Sequence, residues 1–268
     1  MRDTGILATN SVARRINRES FLLLGGGAAL LMQIAHPLVA AGVDRHSDFR
    51  RSPHRRLLRT VDTTLAIVFG DRAAAERALR RIDRSHAPIH GRAADGRAYR
   101  ARDPELMLWV QATLVLTSLR WYEAVMGRLS DAERQAYWDE GKLFAHELGV
   151  PERLFPPTIE DLERYETEML RTDVAPDNTA VAVARDVLRP YRSLPDLVYW
   201  PTDALTAALV PRPLREALGL RYGTPERVFH RGVILAIRAL RRLLPRRLTV
   251  VPQARRYEAA MDRRGETG

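Results

Sequence analysis

The helical character of this chain is clearest in residues 71–86, which read DRAAAERALRRIDRSH. Three apolar side chains and a histidine recur there at steps of four, three and four, at Ala75, Leu79, Ile82 and His86. This spacing places side chains on one face of an α-helix. The other positions near its end are charged, and Asp71 is a residue type that caps helix N-termini. We therefore predict an amphipathic helix that starts at Asp71 and carries His86 at the end of its buried face.

The same periodicity recurs on both sides of this segment, and no run shows the alternation typical of strands. Prolines, glycines and capping residues predict helices at about 14–36, 53–69, 104–126, 130–149, 158–170, 179–188 and 225–244, with a short helix after Pro37. Residues 88–96 are predicted to form a loop. We expect an all-α fold with one domain at residues 14–250, a tail at 1–13 and a polar, frayed tail at 251–268.

The absence of cysteine removes several chemistries at once. Disulfides, thiolate haem ligands, iron–sulfur clusters and cysteine-based zinc sites are excluded. Any metal must be held by histidine or carboxylate. A reducing compartment is compatible with this composition, and we expect a cytoplasmic protein.

The positive charge is spread along the chain rather than focused. The net charge is +10, and Lys142 is the only lysine, so nearly all basic residues are arginines. The arginine pairs lack interleaved aromatic residues, unlike the platforms that stack single-stranded nucleic acid. We therefore expect no nucleic-acid partner. The basic last helix, with Arg231 to Arg247, leaves open a peripheral contact with anionic lipid, or a helical scaffold without enzymatic activity.

The apolar run from Phe21 to Val43 allows three interpretations. Three arginines precede it, as in a twin-arginine or other signal peptide, and its length would permit a membrane span. The glycines at 25–27, the polar side chains of Gln33 and His36 and the helix-breaking Pro37 favour a buried core helix instead. On that interpretation the chain is mature from its start. The glycine run would let this helix pack closely against a neighbour or a flat ligand.

Common catalytic motifs are missing from the sequence. It contains no zinc-protease His-Glu-x-x-His, no Glu-x-x-His pair of a di-iron site, no nucleophile elbow and no phosphate loop. His86 remains, and a buried imidazole needs partners for both ring nitrogens. Iron coordination through Nε2 would satisfy one of them. Position alone favours a hydrogen-bonded core histidine over an iron ligand.

The predicted helix at 53–69, which precedes the helix of His86, carries polar groups along one face. They are Arg56, Thr60 and Thr63, followed by Ile67. They border an apolar face that consists of Leu57, Val61, Thr64 and Val68. Such groups can meet a cofactor carboxylate or bound oxygen, or can simply form the solvated edge of an amphipathic helix. Trp109, on the helix after Pro104, is similarly a candidate pocket wall or a core residue.

Three stretches resemble the superfamily of rubber oxygenases (latex clearing proteins) and fungal mycophenolate-pathway oxygenases, which has many bacterial members. They are LLMQIAHPLVAAGV at 30–43, RTVDTTLAIVFG at 59–70 and DPELMLWV at 103–110. The resemblance covers roughly residues 14–220. It implies a globin-like helical domain around a pocket for haem b, and it supports the buried-helix interpretation of the first stretch.

The resemblance also implies roles for particular residues. His86 matches the proximal histidine of the rubber-cleaving members, and Arg56, Arg59 and Thr60 match their distal Arg-x-x-Lys-Thr pattern. Arginine replaces the lysine here, and a guanidinium is a poor iron ligand but a good hydrogen-bond donor. Rubber cleavage itself is therefore not implied. His36 and His46 fall in a region that approaches the distal side, and either is a candidate sixth ligand.

The leading hypothesis is a haem b-dependent oxygenase that oxidises an apolar small molecule with dioxygen or peroxide. His86 would hold the iron, Arg56, Arg59 and Thr60 would act on the distal side, and the predicted haem contacts are His36, His46, Thr63, Ile82 and Trp109. The alternative is a haem-binding carrier or sensor without turnover.

Overall fold

Helices form most of the regular structure in the computed structural model of the chain, which describes residues 5–46, 53–191 and 193–266. Within those ranges, the side chains at 53–58 and 261–266 are outside the described part. The α-helices are α1 (Val12–Asn17), α2 (Gly26–Ile34), α3 (Pro37–His46), α4 (Pro53–Phe69), α5 (Arg72–His86), α6 (Pro104–Met126), α7 (Asp131–Glu147), α8 (Ile159–Thr172), α9 (Asn178–Leu188), α10 (Asp196–Leu209), α11 (Arg212–Ala217), α12 (Thr224–Leu243), α13 (Arg246–Thr249) and α14 (Pro252–Glu266). The chain has an all-α fold, as predicted.

The boundaries of α5 to α8 are set by local capping contacts. The Asp71 carboxylate accepts a hydrogen bond from the Ala74 N–H at 2.8 Å, which satisfies one of the free donors at the start of α5. Reciprocal capping boxes begin the two later helices, with Ser130 and Glu133 at α7 and Thr158 and Asp161 at α8. These contacts join residues three apart, which is why the sequence predicts where these helices begin.

A small hairpin replaces the predicted loop at 88–96. Strand β1 (His90–Arg92) pairs antiparallel with β2 (Ala98–Arg100), and Gly91 lies opposite Tyr99. Strands of three residues are too short to show an alternating pattern, so this hairpin has no strand signal in the sequence.

The predicted helix at 14–36 is divided into α1, a 3₁₀ helix (Ser20–Gly25) and α2. Its interruption is due to the distant end of the chain. The Arg18 carbonyl accepts the Val251 N–H at 2.8 Å, and Glu19 forms an isolated antiparallel bridge with Val250. Glu19 is consequently extended rather than helical.

The apolar run near the N-terminus lies in the core, which confirms its interpretation as a buried segment. Leu31, Met32 and Ile34 are fully buried. A Cβ atom at Gly27 would lie 2.8 Å from Thr206 Oγ1 on α10, so this glycine permits a close helix–helix contact. In the described part of the chain, no single helix has the length and hydropathy to cross a bilayer, although the segments 20–34 and 37–46 reach that level as a pair bent by 107°.

The C-terminal residues also differ from expectation, because α14 replaces the predicted frayed tail. Val251 and Ala254 are buried, and Tyr257 packs against the main core. The Gln253 side-chain amide donates to the Asp62 carboxylate of α4 at 3.0 Å. These contacts hold the start of α14 against α4.

Candidate functional site

Helices α4 and α5 form an antiparallel pair that is connected by a tight turn at Gly70 and Asp71. A Cβ atom at Gly70 would lie 2.8 Å from the Ala74 side chain, so the turn requires glycine. The pair is held together by a shared apolar cluster, which includes Ala66, Ile67, Ala78 and Leu79. Because a helix rises about 1.5 Å per residue, the end of α5 lies at about the same height as the first turns of α4. His86 and Arg56 are about equally many residues from the turn, so we expect them at similar heights at the open end of the pair.

His86 is the last residue of α5 and is half-buried. Ala75 and Leu79 of the predicted stripe are buried, whereas Ile82 and His86 are half-buried, so the buried face opens towards the histidine. The His86 carbonyl accepts the Ile89 N–H at 3.0 Å. Since the Ile89 side chain packs against Ala41 and Tyr99, this bond connects the end of α5 to α3 and the hairpin.

The predicted polar face of α4 is buried at some positions and exposed at others. Thr63 and Ile67 are buried, whereas Arg59 and Thr60 are exposed. The Arg56 side chain lies outside the described residues. Thr64 is exposed, contrary to the predicted apolar face. The buried face of α4 is centred on Leu65 and Val68 rather than on Thr64, because α1, α5 and α14 cover it from several sides.

The other predicted residues lie on helices other than α4 and α5. His36 is buried at the bend between α2 and α3, where its Nδ1 accepts the Leu38 N–H at 3.2 Å. Burial lowers the pKa of His36. A neutral imidazole whose Nδ1 accepts a hydrogen bond carries its proton on Nε2, so that atom is a donor. This tautomer disfavours iron coordination through Nε2.

His46 and Trp109 lie in two further environments. His46 is exposed at the end of α3, and its Nε2 is 3.3 Å from the Tyr99 hydroxyl. Trp109 is fully buried in a core cluster with Leu31 and Met32, and its ring centroid is 6.5 Å from that of Tyr165. Among the described residues, the Trp109 indole N–H has no hydrogen-bond partner. Arg59, Thr60 and Thr63 thus lie on α4 and Ile82 and His86 on the adjoining α5, whereas His36, His46 and Trp109 lie on other helices, and their common role in a site stays a prediction.

Tyr99 is a candidate site residue that the sequence pattern did not identify. Its side chain is buried between α3 and the hairpin, and Cβ atoms at Gly42 and Gly91 would lie 3.7 Å and 2.8 Å from it. The two glycines around a single tyrosine are the only sequence signal for this contact. Tyr99 supports Ile89 and, through it, the position of His86.

A surface cleft of about 550 Å³ lies on a different face of the same helix pair, against α14. Its lining includes Asp62, Arg77, Arg81, Gln253 and Arg256. With about 100° between successive helical residues, this face of α5 is turned by roughly 120° from the stripe that ends at His86. The cleft is therefore separate from the predicted site.

The donor groups at the open end of the pair fit a haem better than a bare metal ion. In the ranges that the structure describes, no three histidine or carboxylate side chains converge to hold an ion. A porphyrin brings four nitrogen donors of its own and requires a single axial side chain, for which a half-buried imidazole is suitable. Arg59 of α4 is exposed, and a guanidinium is a suitable partner for haem carboxylates.

Comparisons with known proteins place this chain in context. Residues 13–244 match the family model described as "ER-bound oxygenase mpaB/B'/Rubber oxygenase, catalytic domain". Uncharacterized proteins of Mycobacterium tuberculosis (strain ATCC 25618 / H37Rv) and Mycobacterium bovis (strain ATCC BAA-935 / AF2122/97) are each 28% identical to it over 235 residues, which cover 82% of this chain and 89% of theirs. No solved structure shows a significant match.

Proposed function

We propose, from the premise that this chain belongs to the mpaB/B' and rubber oxygenase catalytic-domain family, that it is a haem b-dependent oxygenase with His86 as its iron ligand. The family supports a general oxygenase role. Haem dependence, an apolar small-molecule substrate and dioxygen or peroxide as co-substrate are the further content of the proposal.

One observation carries the assignment of the site. The end of α5 holds a half-buried imidazole, and α4, which a short turn joins to α5, bears Arg56, Arg59 and Thr60. A histidine on one helix and cationic donors on the next are the groups that a haem with two carboxylates requires.

When bound, the haem would supply an iron centre that activates oxygen. The surrounding residues have distinct tasks. His86 would hold the group in place, and the Arg56 and Arg59 guanidinium groups would neutralise its carboxylates or donate hydrogen bonds within the site. The Thr60 hydroxyl is a further donor, while Thr63 and Ile82 close the inner side of the site against water.

The absorption spectrum of the purified protein tests this proposal. Protein produced with sufficient haem should show a Soret band and about one haem per chain, in agreement with a single axial histidine. His86→Ala should lose most of this haem, whereas His146→Ala, an exposed histidine on α7, should retain it. Circular dichroism of both variants checks that the helical fold is intact.

A Soret band with unchanged ligation in His86→Ala would contradict the assignment of the ligand. Wild-type protein that folds but takes up no haem would contradict the proposal as a whole. Stoichiometric haem with two protein ligands and no turnover would instead identify the carrier or sensor alternative.

A further inference from the structure

Helix α12 exposes an apolar stripe to solvent. Val228, Leu235 and Leu243 have exposed fractions of 63%, 63% and 79%. Steps of seven and eight residues place these three side chains on one side of the helix. The opposite side of α12 packs on the core through Phe229, Val233, Ile234 and Ile237. The exposed stripe is therefore an additional apolar face, not the one that stabilises the fold.

A row of arginines lies alongside this stripe, at Arg227, Arg231, Arg238 and Arg242. All four are exposed, and within the described ranges none lies within salt-bridge distance of a carboxylate. Some exposed arginines elsewhere do form ion pairs, as Arg72 does with Glu76 and Arg212 does with Glu216. The only acidic residue of α12, Glu226, is buried and accepts hydrogen bonds from Trp200 Nε1 and the Gly223 N–H. Arg238 donates hydrogen bonds to the Ala124 and Val125 carbonyls near the end of α6, whereas Arg227, Arg231 and Arg242 have no carboxylate partner among the described residues.

Elements next to α12 add further exposed apolar and basic side chains. The Trp200 and Phe229 rings lie 4.9 Å apart and bring the start of α10 next to α12. Leu197 and Val198, in the turn before Trp200, are 80% and 55% exposed. At the other end of α12, Leu248 of α13 is 60% exposed and follows Arg246 and Arg247.

We propose that this surface docks on a membrane that contains anionic phospholipid. The docking surface consists of the apolar side chains of Leu197, Val198, Val228, Leu235, Leu243 and Leu248 together with Arg227, Arg231 and Arg242. Its apolar side chains enter the boundary between headgroups and acyl chains, and its guanidinium groups pair with lipid phosphates. An exposed apolar stripe beside a cationic face is typical of helices that lie in the plane of a membrane interface.

The charge of this surface argues against the other possible occupants. Two copies related by a two-fold axis would bring the same unneutralised arginines together, which opposes self-association. Nucleic acid would satisfy the arginines but would leave the leucines and valines beside a polar backbone, with no aromatic residues among them for base stacking. An anionic bilayer offers phosphates to the arginines and an apolar boundary to the leucines and valines.

Vesicle co-sedimentation of the whole chain tests the inference, with phosphatidylcholine vesicles that contain or lack phosphatidylglycerol. Wild-type protein should bind the anionic vesicles, and about 0.5 M salt should weaken this binding because it screens the lipid charge. The double variant Arg231→Glu with Arg242→Glu should weaken vesicle binding about thirtyfold or more. Each basic residue near an anionic membrane contributes about 1 kcal/mol to the binding free energy. Leu235→Glu with Leu243→Glu should weaken vesicle binding even at low salt.

Matched control variants lie on other faces of the molecule. Leu143→Glu on α7 and Arg171→Glu on α8 change similarly exposed side chains, and both should bind vesicles as the wild type does. Equal binding by all variants, or no wild-type binding to anionic vesicles, would overturn the inference. So would a dimer in light scattering that Leu235→Glu dissociates, or nucleic-acid binding that the arginine variants abolish. None of these measurements depends on haem.

Discussion

The Nδ1 atom of His36 accepts a hydrogen bond from the backbone N–H of Leu38, with 3.2 Å between the two nitrogens. This bond makes His36 the N-cap of α3, because it satisfies one of the donors that a helix start leaves free. The same histidine was a candidate sixth iron ligand by sequence. In the structure its Nδ1 is already occupied by this bond, which assigns His36 a part in holding the bend between α2 and α3.

The role of His36 can be separated from that of His86 by substitution. We expect His36→Ala to lower the free energy of unfolding by about 2–3 kcal/mol, from the lost cap and the cavity in the core. The ligation of iron in the holoprotein should stay unchanged. Urea denaturation and the absorption spectrum measure the two effects, and a changed spectrum with unchanged stability would contradict the capping role.

The stability of the protein should depend on the protonation of His36. Burial lowers the pKa of His36 from its ordinary value of 6.5, so between the lowered value and 6.5 the unfolded state binds more protons than the folded state. Stability therefore falls as the pH falls through this window. Burial also lowers the pKa of His230, so the comparison must be made with His36→Asn, which retains a capping side chain. The melting temperature of His36→Asn should fall less on acidification than that of the wild type, and equal slopes would contradict this.

Gly27 and Gly26 are a matched pair of positions for testing how closely α2 packs against α10. A Cβ atom at Gly27 would lie 2.8 Å from Thr206 Oγ1, whereas nothing lies within 4 Å of one at Gly26. Gly27→Ala should destabilise the protein by about 1–3 kcal/mol, because Thr206 is buried and has little room to move. Gly26→Ala should be neutral or slightly stabilising. Equal effects in chemical denaturation would show that this helix contact is not tight.

A bidentate ion pair connects α6 to α8. Arg120 Nη1 donates to Glu166 Oε1 at 2.8 Å, and its other terminal nitrogen donates to Oε2. The Glu166 side chain is only 5% exposed, so Arg120→Ala leaves a buried carboxylate without its partner and should cost about 3 kcal/mol. Arg120→Met combined with Glu166→Leu should recover most of this loss. Denaturation of the single and double variants tests the coupling, and additive losses would contradict it.

Arg59 should matter for activity more than for stability. Its side chain is exposed, so Arg59→Ala should change the free energy of unfolding by less than about 0.5 kcal/mol. If it acts beside the haem, the variant should retain haem but lose oxidation rate by about tenfold or more, the scale of one lost charged hydrogen bond. Arg77→Ala, on the α5 face that lines the surface cleft, is the control. Unchanged oxidation kinetics in Arg59→Ala would remove Arg59 from the site.

Much of the helical architecture was predictable because its signals are local. Asp71, Ser130 and Thr158 cap helices through contacts with residues three positions away, and the stripe through Ala75 and Leu79 is a property of helical spacing. The buried interpretation of the first apolar run followed from its glycines and its proline. The order and type of these elements could therefore be derived without any long-range contact.

The candidate site depended on contacts that no local pattern contains. The helices that carry His86 and Arg56 become neighbours only because α4 and α5 fold back on each other at Gly70. The hairpin that carries Tyr99 has strands too short for a pattern, and Thr64 is exposed because the neighbouring helices cover another side of α4. None of these features follows from a single segment.

The sequence by itself determined an all-α chain, most of its helix starts and a histidine at the end of an amphipathic helix, because residues a few positions apart decide those features. The tertiary structure decided that Val251 ends α1 at Arg18, that His36 caps a helix and that α12 presents a second apolar face. Those outcomes depend on hydrogen bonds and burial between segments far apart in the chain, and such partners are fixed only when the whole core is packed.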